Sequence, residues 1–372
     1  AVSVFGFRFV NKSFFPSSTR PQFMVHCWLP QGTHILRTES EVAKLESYLL
    51  GLDGVDSVST YIGQGAPRFL LTFQPEEPNS AYGLLVVSVK DYREIEALSK
   101  KVNEFSAEKL PDAQVFARKF VLGPGDPQKI QFRFRGQDPD VLRRLAEETK
   151  SLLHAEPTII DISDDWRERV TTLRPRIAEA AARNAGLTRA QIASAIQGVF
   201  EGNKVGFYRE GDLQLPIIAR APAEERHDVS QLKDFSVWSP SAQQAIPLGQ
   251  VVVDVGTVTE DDIIRRRNRL PTITVKCDPY MTEAAVAFAD VRPKIEALFD
   301  QLGRELDLTG YSLEFGGEYE NSSDAQKALK SKMGPIFLAM ILILIVLFNS
   351  VRQSMVIFLT VPLAIIGVTS GL

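Results

Sequence analysis

Apolar and polar residues alternate through short stretches of this chain, and between them run segments whose apolar residues recur every three or four positions. The combination strand, helix, strand is read four times. The first is QFMVHCWLP at 22–30, a helix near 38–51 and GVDSVSTYI at 54–62. The second is GLLVVSVK at 83–90, a helix near 92–109 and AQVFARKF at 113–120. KIQFRFRG at 129–136, a helix near 138–154 and PTIIDIS at 157–163 make the third. PTITVKCD at 271–278, a helix near 282–302 and YSLEFGG at 311–317 make the fourth. The strands alternate or are β-branched, whereas Val42, Leu45 and Leu49, and then Val141, Leu145 and Leu152, fall on helical faces. Each helix runs into a turn, at Gly51–Asp53, Pro111–Asp112, Glu156–Pro157 and Asp307–Gly310. Two interleaved βαβ units make one ferredoxin-like module, an antiparallel sheet with helices on one face, so four units predict two modules.

The pattern is interrupted between the third and fourth units by an insert over 166–269. PRIAEAAARNAG predicts a helix stopped by Gly186. The helix after it is capped by Thr188, with Gln191 completing a capping box. KVGFYREGDLQLPIIAR predicts a hairpin turning at Glu210, Gly211 and Asp212. FSVWSP, AIPLGQVVVDVGTV and IIRRRNRL add short strands. The predicted class is α+β: two ferredoxin-like split βαβ modules, a mixed α/β insert in the second, then transmembrane helices.

The end of the chain has another texture. GPIFLAMILILIVLF at 334–348 carries no charge. At 1.5 Å per residue it covers only ~22 Å of a ~30 Å hydrocarbon core, and starting the helix near 326 makes it long enough to span. A polar break, NSVRQS, precedes a second apolar run at 355–372, read as a membrane segment that continues beyond it. Lys327, Lys330 and Lys332 on the domain side outnumber Arg352 beyond the helix, which by the positive-inside rule alone favours a cytoplasmic domain. That rule is weak for long loops.

Composition narrows the chemistry. A charged fraction of 24% and a hydrophobic fraction of 44% over 372 residues belong to a folded chain of more than one unit. A net charge of −4 leaves no broad basic face for nucleic acid. Two cysteines and four histidines without ligand spacing point to no metal site, and the five methionines are too scattered for a thioether-lined path. No phosphate-binding glycine loop or nucleophile elbow occurs, so neither a nucleotide nor another cofactor is expected, nor an enzyme. The carboxylate pairs Asp164–Asp165 and Asp261–Asp262 point apart along the chain, and Arg265–Arg267 reads as a solvated rim balanced by Glu260 and Asp262.

In its order of elements, and in GLTRAQIASAIQGVF, AIPLGQVV, IIRRRNRLPTITV and GYSLEFGGEYENSSDAQKALK before the apolar helix, the chain resembles a resistance-nodulation-division (RND) efflux transporter. The type it resembles is the hydrophobe/amphiphile exporter of the AcrB/AcrD/AcrF kind, over its second periplasmic loop. The resemblance implies the end of a membrane helix and a connector at 1–20, and a first porter subdomain at 21–122. It implies a second porter subdomain split over 123–165 and 270–325, with a docking insert at 166–269 inside it. Membrane helices follow at 326–348 and from 354 to 372. It implies a proton-driven multidrug pump in the inner membrane, homotrimeric, with a periplasmic adaptor, an outer-membrane channel and membrane lipid as partners, exporting amphiphilic small molecules. Two other readings stay open: a membrane-anchored periplasmic binding or sensor domain, and a narrow-substrate lipid exporter.

The segment 63–82 is long for a bare connection. By position it matches the family's flexible loop between two substrate pockets, and Gly63, Gly65, Pro67, Pro75 and Pro78 mark it as loop. Phe69 and Phe73 are its pocket candidates, suited to loose apolar recognition; the alternative is that both pack the loop onto its own sheet. Phe116 lies on the strand that lines the family's inner pocket. Arg118 takes the place of a second aromatic there, which would favour acidic or zwitterionic substrates or else lie solvated on an edge strand. The turn Glu210, Gly211 and Asp212 is the expected docking hairpin.

Overall fold

The computed structural model describes residues 18–123, 128–222 and 229–360. The expected membrane-helix tail before residue 18 and the apolar run from 361 onward lie outside the described residues.

The first porter module is a four-stranded sheet carrying two helices. Its elements are β1 (Gln22–Trp28), α1 (Ile35–Leu50), β2 (Val55–Ile62), β3 (Tyr82–Val89), α2 (Ile95–Lys109) and β4 (Gln114–Lys119), with strand order β2-β3-β1-β4. All its pairs are antiparallel, and His26 stands opposite Leu84 on one side and Phe116 on the other. Alternation along β1 sends Phe23, Val25 and Cys27 to the helical side, where they meet Val42, Leu45 and Leu49 of α1 and Leu98 and Val102 of α2.

The second module repeats this order. Its elements are β5 (Ile130–Arg135), α3 (Pro139–His154), β6 (Ile159–Asp164), β14 (Leu270–Pro279), α6 (Ala284–Leu306) and β15 (Ser312–Gly317). β14 and β15 flank β5, and β6 pairs with the far side of β14. Helix α3 starts where Asp138 accepts a hydrogen bond from the backbone N–H of Asp140, with Pro139 in its first turn. The residues it buries are Leu142, Leu145, Ala146, Thr149 and Leu153. Its stripe is thus centred beside the expected one, with Val141 and Leu152 at its margins. Phe132 is the centre of this core, its ring 6.1 Å from those of both Phe288 and Phe315.

A separate compact unit, Arg169–Glu260, is inserted between β6 and β14. It contains β7 (Arg169–Ile177), α4 (Glu179–Asn184), α5 (Arg189–Phe200), β8 (Asn203–Glu210), β9 (Leu213–Ala219), β10 (Ser236–Ser239) and β11 (Gln244–Pro247). β12 (Val252–Asp261) closes it, and β13 (Arg266–Arg267) follows on the way to β14. Two expectations are corrected in this region. The helix expected from Pro175 begins only at Glu179, because Arg169–Ile177 pairs with β12, and Arg174 and Arg176 bind Glu260 and Asp254 across the ladder. The strand expected over 263–270 is reduced to Arg266–Arg267, since Asn268 and Arg269 turn the chain with positive φ. The capping box of α5 is formed by Thr188 and Gln191. β8 and β9 form the hairpin, turning at Gly211–Asp212 and exposing Val205, Phe207, Leu213, Leu215 and Ile217.

Helix α7 runs unbroken from Glu318 to Phe348, so the membrane segment and the stretch expected to connect it are one element. Its 31 residues span ~46 Å, and by length and composition it can cross a membrane. Helix α8 (Val351–Thr360) follows.

Candidate functional site

The non-helical face of the first sheet carries the chemistry. Met24, His26 and Trp28 alternate out of β1, and Tyr82 and Leu84 come from β3 and Phe116 from β4. The segment 63–81 lies over this face. Its ends are held by Gly63 N–H donating to the carbonyl of Tyr82 and Asn79 N–H to that of Gly63, and Gly65 N–H donates to Glu76. Ala66 and Phe73 are buried against the sheet. Phe69 is 42% exposed, with its ring 5.0 Å from Phe73 and 5.7 Å edge-on from Phe120. The structure therefore brings Phe69, Phe73 and Phe116 to one aromatic face, with Phe73 inside and Phe69 at its rim. Pro67, Pro75 and Pro78 lie along the same covering segment.

Arg118 is on this side too, but it is not a solvated edge residue. Its guanidinium folds back to 4.8 Å from the Phe116 ring centre and lies 3.2 Å from Asp278 and 3.5 Å from Asp161 of the second module. The arginine expected to meet substrate is already engaged by two carboxylates.

A buried polar row continues from there. Nδ1 of His26 is 2.8 Å from the hydroxyl of Tyr82, while its Nε2 is buried with no hydrogen-bond partner among the described residues. Burial first, then the charges of Arg118 and Arg167, lowers the imidazole from its ordinary value to about 3, so the ring is neutral. Burial likewise pushes the Tyr82 hydroxyl up. Arg167 lies 3.6 Å from the Trp28 ring centre, and burial lowers its pKa. Beside it opens a cleft of about 150 Å³, between Gln114 of β4 and Lys150, Ser151 and His154 of α3. Its walls are charged, because Lys150 bridges Glu147 and Asp164, both 2.8 Å away.

Several of these groups carry no signal in the linear sequence. His26 reads as a lone histidine, and Asp161 and Asp278 as isolated strand acids; strand register brings His26 near Arg118, and the packing of one sheet beside the other brings the two acids. Cys27 and Cys277 are buried free thiols in separate cores. Burial raises both, Cys27 to about 12. The supposed arginine rim is engaged as well: Arg265 donates to the carbonyl of Asp165, and Arg267 pairs with Glu320.

The AcrB/AcrD/AcrF family matches residues 1–372. The chain belongs to that family. It is accordingly a portion of a member of the RND transporter family, of the inner membrane with its bulk in the periplasm. The nickel and cobalt resistance protein CnrA of Cupriavidus metallidurans is 22% identical over 99% of this chain and 34% of its own length. The cation efflux system protein CusA of Escherichia coli (strain K12) is 25% identical over 66% of this chain and 23% of its own length. The crystal structure of a heavy metal efflux pump superposes with a TM-score of 0.77 at 18% identity, covering 99% of this chain and 38% of that one. The chain thus spans about a third of the length of CnrA.

These relatives overturn the expected hydrophobe/amphiphile, multidrug type, and with it the amphiphilic small molecules expected as substrate. The quoted stretches misled for a physical reason. They build the insert, strands β13–β15 and the start of α7, which the porter scaffold needs whatever it carries, and none of them lies on the charged face around Arg118.

Proposed function

We propose that this chain is the second periplasmic porter and docking portion of an RND pump that extrudes metal cations. The reading is carried by relatives that match nearly the whole chain and are named for nickel, cobalt and cadmium resistance. The cleft beside Arg167 is in keeping with it. About 150 Å³ is half the lower limit of pockets that bury drug-sized ligands, and its walls are ion pairs instead of apolar faces. A hydrated ion fits that space. Charged walls satisfied by their own partners hold a passing ion weakly, which suits a path that must release as readily as it binds.

In the complete protein the porter modules would rock against each other as rigid bodies, driven by protons taken up elsewhere in the chain. Aromatic Phe69, Phe73 and Phe116 would line the wall of the path under the covering segment. The β8–β9 hairpin, with Glu210, Gly211 and Asp212 at its tip, would meet an adaptor or outer-membrane channel in a homotrimeric assembly. The test is expression of the complete gene in a Gram-negative strain stripped of its metal exporters, followed by growth on graded nickel, cobalt, zinc and cadmium. A raised tolerance that a protonophore abolishes supports the reading. Unchanged tolerance to every cation, with adaptor and channel supplied, overturns it.

A further inference from the structure

Among the described residues, the contact between the two porter modules sets two buried carboxylates beside one arginine. Arg118, on β4 of the first module, faces Asp161 on β6 and Asp278 on β14 of the second, and the three side chains are 13%, 17% and 15% exposed. Asp278 is fixed, because its Oδ1 accepts a hydrogen bond from the backbone N–H of Lys129 at 3.0 Å. Asp161 is held less directly. It sits at φ 56°, in the left-handed region, and its carbonyl accepts from Gln128 Nε2 at 2.7 Å. Arg118 meets both acids off-axis, and among the described residues its Nε and Nη2 make no aligned hydrogen bond. Among the described residues, the charged groups facing Asp161 are Arg118 from the first sheet and Asp278 from β14. His26 on β1 is neutral, and Arg167 after β6 is stacked on Trp28.

We propose that Asp161 is the proton site of a latch between the porter modules: its protonated carboxyl lets Arg118 and Asp278 close as a neutral pair, and loss of that proton loosens the contact. The latch goes beyond cation export and does not depend on what is carried.

The sign follows from the surroundings. Burial is the largest influence on Asp161, and repulsion from Asp278 adds to it; Arg118 pulls the other way, and the carboxyl is raised from 3.8 to about 6. A group that binds its proton more tightly in the closed arrangement favours closure as pH falls through about 6, and the advantage saturates near the ordinary carboxylate value. Between about pH 7.5 and about pH 5 the closed-to-open ratio then rises about tenfold. An acidifying periplasm would bring the modules together, and opening at neutral pH would release or forgo a proton.

Pulsed electron-electron distance measurement on the full-length protein in lipid nanodiscs tests this. Spin labels replace Lys100 on α2 and Arg144 on α3, both exposed helix positions on different modules. In the otherwise unaltered protein the short-distance population should grow about tenfold relative to the long one between about pH 7.5 and about pH 5. Asp161→Asn should hold the short population at both pH values. Asp278→Asn keeps an acceptor for Lys129 but removes the repulsion, and should move the midpoint to lower pH. A distribution that ignores pH, or a pH response that survives Asp161→Asn, overturns the latch. If Asp161→Asn does not assemble, an unmoved midpoint in Asp278→Asn overturns it just as well.

Discussion

Nη1 of Arg133 donates to Oε2 of Glu320 at 2.6 Å, tying the middle strand of the second sheet to the first turn of the helix that continues to Phe348. Arg267 reaches the other carboxylate oxygen at 3.4 Å. One side chain therefore joins the membrane helix to the porter sheet and to β13, the strand that follows the insert. Glu320 is also well placed for the helix dipole, in the first turn of α7. Glu320→Ala should cost ~1–2 kcal/mol, as expected for a charge-assisted, partly exposed pair, and Glu320→Gln less, because it keeps an acceptor. Faster hydrogen exchange confined to the first turns of α7, in that order of variants, is the expected outcome.

The joint just before that turn tolerates no side chain. Gly317 has φ 73° and ψ −143°, and a Cβ there would run into the carbonyl of Lys129. Gly310 also has positive φ, but no described residue comes within 4 Å of where its Cβ would stand. Gly317→Ala should lower the melting temperature of the full-length protein clearly, while Gly310→Ala should cost only the ~1–2 kcal/mol of a left-handed alanine. Equal effects of the two substitutions would show that the contact with Lys129 does not matter.

Phe132 and Phe69 offer a contrast of burial. Phe132 is fully buried between Phe288 and Phe315, and Phe69 is 42% exposed at the rim of the covering segment. Phe132→Ala should destabilise the second module by ~3–5 kcal/mol, with Phe69→Ala below ~1 kcal/mol. If cations pass under this segment, Phe69→Ala should alter tolerance in the growth assay at unchanged protein level.

His26 predicts a pH dependence opposite to that of Asp161. Its folded value of about 3 lies below the ordinary 6.5, so the unfolded chain takes up the proton first and stability falls as pH drops below about 6.5. The slope is at most ~1.4 kcal/mol per pH unit, until the folded ring itself protonates near pH 3. Denaturant titrations should show His26→Gln losing less stability than the parent between about pH 6.5 and pH 4.5. Parallel curves for the two proteins would remove His26 from the account.

The porter sheets are legible in the sequence because their strands alternate and their helices repeat at three and four residues. The stripe of α1, Val42, Leu45 and Leu49, is read directly. Local pattern fails where pairing is distant. Pro175, Arg176 and Ile177 precede an alanine-rich stretch of high helix propensity, yet β12 claims them for a ladder. The face around Arg118 was half visible. Phe69, Phe73 and Phe116 could be placed by their loop and strand, but Asp161 and Asp278 stand far from Arg118 along the chain and meet it only once two separate sheets have formed. Substrate class was not legible at all, because the recognisable stretches build scaffold and the ion pairs that distinguish the cleft have no local signature.

The insert hangs on two adjoining threads. β7 and β12 pair, and Thr172 donates to Glu260, so the first and last strands of Arg169–Glu260 leave and rejoin the second module side by side. A segment whose two ends meet can be lifted out and replaced without redrawing the host sheet. Genes encoding such chains can thereby exchange the insert while keeping both porter sheets intact, so that the two parts are free to evolve on separate schedules.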